Sequence, residues 1–204
     1  MNELIKIYKL AKFFRIISIP SVTVIFFILV LTLMRPDIFF TVYDIFVPII
    51  FLGIIPTLAY PLQQMVPKYR EAKREGQRNL AFICSLIGYT VTFIWSLLNK
   101  IHQSLLLICC TYFLSTILLI IFNKFLNVKA SGHSCSVTGP LIFVVYLIDW
   151  KFIFPCLIYG SLVAWSSLYL KRHTKKELLF GIVLALVSFL ISNYFINLRL
   201  GEVL

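Results

Sequence analysis

The chain has 204 residues, of which 60% are hydrophobic and only 13% are charged. Soluble domains are about 45–50% apolar and about 25% charged, so this composition excludes an ordinary soluble domain and indicates an integral membrane protein. Lysine and arginine number 19 against 8 aspartate and glutamate residues. In a membrane protein such an excess is typical of cytoplasmic loops and of contact with anionic lipid headgroups. We expect no nucleic-acid partner, because no soluble region is left to carry one.

The first fifteen residues form a basic amphipathic lead rather than a cleavable secretory signal. Lys6, Lys9, Lys12 and Arg15 precede the first long apolar run, and no small-residue cleavage site follows that run. We therefore expect this segment to remain on the chain.

Seven apolar runs follow, and a membrane span needs about 20 such residues. They lie at 16–34, 38–60, 80–98, 104–122, 136–150, 152–170 and 178–198. No repeat or linker divides the chain. The sequence thus predicts an all-α, polytopic membrane helix bundle of about seven transmembrane helices, with residues 1–204 forming a single integral membrane domain.

Lysine and arginine are unevenly shared between the two sides of such a bundle. Most lie in the N-terminal lead and in the connections after the second, fourth and sixth predicted spans. The opposite side holds only Arg35, Lys100, Lys151 and Arg199. The positive-inside rule therefore places the N-terminus and the basic connections in the cytoplasm and the C-terminus outside, and we expect a bacterial cytoplasmic membrane.

The longest connection, 61–79, is strongly basic and allows two interpretations. Its lysines and arginines either set the orientation and touch lipid headgroups, or they contact an anionic substrate directly. Asp44 lies inside a predicted span and is a functional candidate for that reason. The predicted topology places it toward the face opposite the basic connections, which favours a structural role. Cys135, close to a histidine, would suit a thiol peptidase, but no wider motif of that class is present.

The first of two polar stretches is Lys129-Ala-Ser-Gly-His-Ser134, at the start of a predicted helix. Unpaired backbone N–H groups and the helix dipole favour an anion at such a start. Ser131 and Ser134 would add hydroxyl donors, Gly132 would allow close approach of the backbone, and Lys129 would supply a cation. His133 is placed to pass a proton to a group held there.

The second polar stretch runs from Ser166 to Glu177 and contains His173. Because His173 and Glu177 are four residues apart, they share one face of a helical turn. A carboxylate there holds one ring nitrogen and leaves the other free to attack. A nucleophilic histidine, an orienting carboxylate, an acid histidine and an anion site suit phosphoryl transfer through a phosphohistidine. Two histidines and one carboxylate make a poor metal site, so we expect no metal and no cofactor.

These motifs resemble those of the type-2 phosphatidic acid phosphatase superfamily, whose relatives include vanadium haloperoxidases. That family has three motifs: Lys, six residues, Arg-Pro; then Pro-Ser-Gly-His; then Ser-Arg, five residues, His, three residues, Asp. The chain matches the second as Ala130-Ser131-Gly132-His133 and the third as Ser166-Ser167, five residues, His173, three residues, Glu177. The resemblance covers about 104–198, and it implies that the last four spans form a phosphatase-like core. Gly181 matches the family's glycine early in the last helix.

The chain departs from the family pattern in three places. The first motif is absent, Ser167 stands where the third motif has a phosphate-binding arginine, and Glu177 replaces the aspartate. A divergent bacterial branch of the superfamily carries Lys-x-Ser-x-His and a basic Arg-Glu-x-x-Arg loop. The segments Lys129–His133 and Arg74–Arg78 are similar to these. The resemblance therefore implies that the missing cations are replaced from among Lys129, Arg74, Arg78 and Arg172.

The resemblance implies a metal-independent hydrolase acting on a lipid phosphate monoester or diphosphate, of the phosphatidate, phosphatidylglycerophosphate or polyprenyl phosphate class. His173 would be the nucleophile, Glu177 would orient it, and His133 would be the acid. The implied phosphate-binding residues are Lys129, Ser131, Gly132, Ser134, Arg172, Arg74 and Arg78. The alternative is an inactive relative that binds anionic lipid or serves transport or regulation; the missing arginine favours it, and the intact catalytic residues disfavour it.

Overall fold

The computed structural model describes the backbone of residues 2–201 and the side chains of residues 3–198. The chain is 87% helical, and the described residues contain no strand, so the predicted all-α fold is confirmed. The predicted outward location of the C-terminus and the side chain of Arg199 fall outside the described residues. The helices of the described part are α1 (Asn2–Ile17), α2 (Pro20–Met34), α3 (Tyr43–Met65), α4 (Pro67–Glu71), α5 (Lys73–Leu98), α6 (Gln103–Phe125), α7 (Gly132–Ile148), α8 (Trp150–Tyr169) and α9 (Lys175–Gly201).

Five of these helices, α3, α5, α6, α8 and α9, are long and apolar enough to cross a membrane. Together α1 and α2 would make a sixth candidate, but their axes differ by 61°. The shorter apolar helix α7 rises by about 25 Å, against a hydrocarbon core of about 30 Å. The residues described thus contain five candidate spans, or six with the bent pair, where the sequence predicts seven.

The bend between α1 and α2 has a local cause at Pro20. Proline disfavours the helical conformation in the residue before it, and Ile19 accordingly has an extended ψ of 131°. Pro20 itself begins α2, where its missing N–H leaves no intrahelical bond unmade. The predicted span 16–34 is therefore divided near its start, and this division places Arg15 in the last turn of α1 and Ser18 directly after the helix.

Prolines also interrupt α3 and α7. Pro48 precedes a π-helical segment, Ile49–Ile54, and Pro140 lies one turn before another, Val144–Ile148. A proline inside a helix removes one donor and crowds the carbonyl four residues back, and such disturbances are accommodated by π-helical turns. At the start of α3, the buried carboxylate of Asp44 accepts the backbone N–H groups of Phe40 at 2.7 Å and Thr41 at 2.9 Å. This contact gives Asp44 the expected structural role.

The bundle is held by α9 packing on α6 and α7, by α5 on α6, and by α2 on α3 and α7. The largest apolar core includes stacked and edge-on rings of Phe27, Phe143 and Phe189, whose centroids are 5.8 Å apart in each neighbouring pair. Aromatic pairs of this kind contribute about 0.5–1.5 kcal/mol beyond burial. Large apolar side chains such as Leu33 and Phe154 cover the outer surface, as is typical of helices in lipid.

Candidate active site

The two polar stretches meet through direct contacts between the starts of α7 and α9. The backbone N–H of Ser131 donates to the carbonyl of Glu177 at 2.9 Å. The hydroxyl of Ser134 donates to the carbonyl of Leu178, also at 2.9 Å. The structure therefore brings together the residues that the sequence places in one site.

The serines of the first stretch have a different role from the predicted one. Ser131 is the N-cap of α7, and its hydroxyl accepts the backbone N–H of Ser134 at 3.2 Å. The hydroxyl of Ser134 is directed at α9. Both side chains are buried, and neither lines the cavity that His133 and His173 share. We therefore correct this part of the prediction, because the hydroxyls cap a helix and join two helices instead of donating to phosphate.

Gly181 makes this helix contact possible. A Cβ atom at this position would lie 2.1 Å from the Ser134 hydroxyl and 2.4 Å from the Ser131 carbonyl oxygen. Gly132 is in a different situation, because a Cβ there would meet only the Phe82 ring, at 3.9 Å. Gly132 therefore leaves open space beside the cavity, as the prediction of close approach requires, whereas Gly181 is required by packing.

The start of α9 fixes the second histidine. Thr174 and Glu177 form a reciprocal capping box, with the Thr174 hydroxyl accepting the Glu177 N–H and the Glu177 carboxylate accepting the Thr174 N–H, both at 3.2 Å. The same carboxylate oxygen lies 3.1 Å from Nδ1 of His173. Since a carboxylate only accepts, Nδ1 carries the proton and Nε2 keeps its lone pair. Nε2 is thus the nitrogen available for attack.

The turn between α8 and α9 presents His173 to the site. Lys171 has a left-handed φ of 50°. The N–H groups of Lys171 and Arg172 bond to the carbonyls of Leu168 and Ser167, both at 2.9 Å. This is the pattern of a Schellman motif, and it ends α8 at Tyr169, four residues before His173.

Burial lowers the pKa of His173 from its ordinary value of about 6.5. The hydrogen bond that His173 donates to Glu177 opposes this shift, and the positive charges of Arg15 and Arg74 reinforce it. The side chain is 17% exposed. His173 is therefore neutral at physiological pH, which is the form that a nucleophile requires.

Both histidines line one cavity of about 210 Å³ that runs between the helices. It adjoins an outer cavity of about 370 Å³ that shares His173 and Glu177 with it. Of the predicted cations, Arg74, Arg78 and Lys129 line both cavities, while Arg172 lines only the outer one. The basic connection therefore contributes two arginines to the walls of these cavities, and direct contact with an anionic substrate stays a prediction.

The end of α1 and the turn that follows it contribute two residues that sequence reasoning missed. The Arg15 guanidinium lines the inner cavity and donates through Nη1 to the Ser167 hydroxyl at 3.2 Å. The fully buried Ser18 hydroxyl lies 3.1 Å from Nε2 of His133. In the sequence Arg15 indicates only orientation, and its separation of 152 residues from Ser167 leaves no local signal of this contact.

Asn123 is a third missed residue, and it had a detectable signal. It lies in the apolar sequence of α6, where a buried amide is a functional or structural candidate by default. Its side chain pairs with both backbone groups of Ala130 at 3.2 Å and accepts from Arg78 at 3.3 Å. Asn123 thus fastens the loop that carries Lys129 and positions Arg78.

The geometry therefore combines two histidines, an orienting carboxylate and a basic cavity at the end of a helix bundle. Among known chemistries, this arrangement suits transfer of a phosphoryl group. Comparisons of the chain with protein-family models, with curated proteins and with solved structures give no match.

Proposed function

We propose that the protein is a membrane-embedded phosphatase that hydrolyses a lipid phosphate monoester or diphosphate through a phosphohistidine intermediate. The observation that carries this proposal is the cavity shared by His133 and the His173–Glu177 pair, with arginine and lysine side chains around it. The motif resemblance to the type-2 phosphatidic acid phosphatases, which includes the same histidines and glutamate, also supports it.

In the first step, Nε2 of His173 forms a bond to phosphorus. The bond between phosphorus and the leaving oxygen of the lipid breaks, and its electron pair stays on that oxygen. In the substrate complex, where the bound phosphate dianion favours its imidazolium form, His133 gives the oxygen a proton, so that a neutral lipid alcohol departs when the substrate is a monoester. Glu177 stabilises the positive charge that develops on the His173 ring.

In the second step, His133 accepts a proton from a water molecule that attacks phosphorus. The phosphorus–nitrogen bond breaks, its electrons return to Nε2 of His173, and inorganic phosphate leaves. Arginine side chains that line the cavity stabilise the charge on the phosphate oxygens in both steps. Both histidines then regain their starting protonation states.

An apolar groove next to the site supports a lipid substrate. It has a volume of about 590 Å³ and lies between α2, α7 and α8, with Phe26, Leu141 and Phe152 among its walls. Ile17 and Thr23 face this groove, while Ile19 and Pro20 face the catalytic cavity. The joint between α1 and α2 thus separates a polar cavity from a surface suited to a hydrocarbon chain, and a lipid phosphate has both parts.

We further propose that α7 and the bent α1–α2 pair each cross once, giving seven spans with the N-terminus and the site in the cytoplasm. Cysteines introduced at Leu126 and Lys151, which flank α7 and are exposed, should then react with a membrane-impermeant maleimide from opposite sides of sealed vesicles. The parent protein, with its five native cysteines, measures background labelling. Reaction of both positions from the same side would make α7 a re-entrant helix and exclude seven spans.

The lowered pKa of His173 predicts an unusual pH dependence. Neutral imidazole is the attacking form, so kcat/KM should fall on the acid side as His173 becomes protonated. The midpoint of this acid limb should lie below pH 6.5, the ordinary pKa of histidine. The Glu177 hydrogen bond raises this pKa, and Glu177→Gln should therefore move the limb to still lower pH. Comparing both proteins on one substrate removes the contribution of substrate ionisation. An unmoved limb, or a shift to higher pH, would contradict the assignment of the limb to His173.

The direct test of function is phosphate release by the purified protein from phosphatidate, phosphatidylglycerophosphate, polyprenyl phosphate and polyprenyl diphosphate in mixed micelles. We expect release from at least one substrate. His102→Asn is the matched control, because His102 caps α6 outside the catalytic cavity and asparagine is also a good N-cap. Release from none of the substrates would favour an inactive lipid-binding relative.

A further inference from the structure

Ser167 occupies the position where the motif resemblance has an arginine, and it is fully buried. Its hydroxyl has the Arg15 guanidinium as a hydrogen-bond donor, at 3.2 Å. The chain thus has a guanidinium beside this position, but it comes from α1, far away in sequence. α1 packs along α8, which carries Ser167, and this packing brings the Arg15 side chain next to Ser167.

The surroundings of Arg15 leave its charge available to a ligand. Among residues 3–198, no carboxylate lies within ion-pair distance of Arg15, and the bond to Ser167 is the one hydrogen bond that its side chain makes. A guanidinium has five N–H donors, so most of them are unused. The side chain lines the inner cavity together with His133 and His173. An unpaired, half-buried arginine beside two histidines is suited to bind phosphate.

We propose that Arg15 is the phosphate-binding guanidinium of this site and replaces, from a different helix, the arginine missing at position 167. This inference rests on the proposed function for its catalytic meaning, although phosphate binding itself does not require turnover. Ser18, one turn after Arg15, bonds to His133. The last turn of α1 therefore supplies a phosphate ligand, and the turn that follows it positions the acid histidine. The N-terminal segment is in this way part of the proposed active site.

The arrangement allows a test by relocation of the charge. Arg15→Ala removes the guanidinium and vacates its space, while Ser167→Arg in the same protein returns a guanidinium from α8. We expect Arg15→Ala to weaken binding of inorganic phosphate, followed by ³¹P NMR, at least tenfold and to lower kcat/KM by about 10²-fold. The Arg15→Ala/Ser167→Arg protein should recover at least half of the loss in phosphate affinity and in kcat/KM, on a logarithmic scale. Arg15→Lys should lie between the wild type and Arg15→Ala in both quantities, because lysine keeps the charge and lacks the forked geometry.

The matched control is Lys12→Ala, because Lys12 is an exposed cation one turn earlier on α1 and outside the catalytic cavity. It should bind phosphate as the wild type does. Phosphate binding by Arg15→Ala within twofold of wild type would overturn the inference. The inference would also be overturned if the Arg15→Ala/Ser167→Arg protein melted like the wild type and still did not recover phosphate binding. If Arg15→Ala does not fold, Arg15→Lys tests the same site.

The readouts separate this inference from the proposed function. If phosphate binding depends on Arg15 and no lipid phosphate is hydrolysed, the proposed function fails and the ligand assignment stands. If hydrolysis requires His173 and is unaffected by Arg15→Ala, the enzyme stands and the ligand assignment fails.

Discussion

Replacing His173 by glutamine should lower kcat/KM for the best lipid phosphate by about 10⁴-fold or more. The substitution removes the atom that bonds to phosphorus, and loss of a nucleophile removes the covalent route entirely. Glutamine still offers an N–H group to Glu177, so the capping box at the start of α9 should persist. The melting temperature should therefore stay near that of the wild type, and the loss can be assigned to chemistry.

A graded series around His173 tests the assigned roles. His133→Ala should cost about 10²–10⁴-fold, the range of a general acid or base. His102→Asn should have no effect, since His102 lies outside the cavity. If His173→Gln kept more than a tenth of wild-type activity, His173 would not be the nucleophile, even if the protein proved to be a phosphatase.

Replacing Gly181 by alanine should have the second large effect, on stability and activity together. The added methyl group would lie 2.1 Å from the Ser134 hydroxyl and 2.4 Å from the Ser131 carbonyl oxygen. The backbone oxygen cannot rotate away, so α7 and α9 must separate at their starts, and overpacking of this kind costs about 1–3 kcal/mol. Because the separation also breaks the Ser131–Glu177 contact, activity should fall more than stability alone requires.

The measurement is thermal unfolding of the purified protein in detergent, with phosphate release measured in parallel. Gly160→Ala is the matched control, because a Cβ there meets only the Leu141 side chain at 3.4 Å, and alanine favours a helix. Gly160→Ala should melt at or slightly above the wild-type temperature. Equal melting of Gly181→Ala and wild type would show that the two halves of the site are not held by this contact.

The apolar runs predicted most of the helices, because about 20 consecutive apolar residues have few alternatives to a span in lipid. The predicted runs 80–98, 104–122 and 152–170 lie within or nearly within α5, α6 and α8. The larger differences arise at 16–34, 38–60 and 136–150. Pro20 divides the first, α3 begins and ends five residues later than the second, and the third is shifted against a short helix that begins earlier, at Gly132, where Ser131 caps it, and ends at Ile148.

The contact between His173 and Glu177 was also predictable from the sequence, because residues four apart lie on the same face of one helical turn. The sequence did not predict how the serine hydroxyls are used, since that depends on α9 approaching α7 at Gly181. It did not predict the position of Arg15 either, because that requires α1 to pack on α8. Contacts between residues that are distant in sequence depend on how the helices pack, and the spacing of residues along the chain does not predict that packing.

The basic residues of this chain illustrate how one signal has two causes. Arg15, Arg74 and Arg78 all add to the positive charge that predicts a cytoplasmic N-terminus, and all three line the cavity that holds the two histidines. The proposed anion site and the positive-inside signal thus depend on the same residues.

The central claim is that His173 carries the phosphoryl group. The most direct measurement is brief incubation of the purified protein with a ³²P-labelled lipid phosphate, an alkaline quench that preserves phosphohistidine, and location of the label by peptide mapping. The account predicts label on the peptide containing His173, and none in His173→Gln. Substrate turnover with no labelled histidine, or with label at another residue, would contradict it.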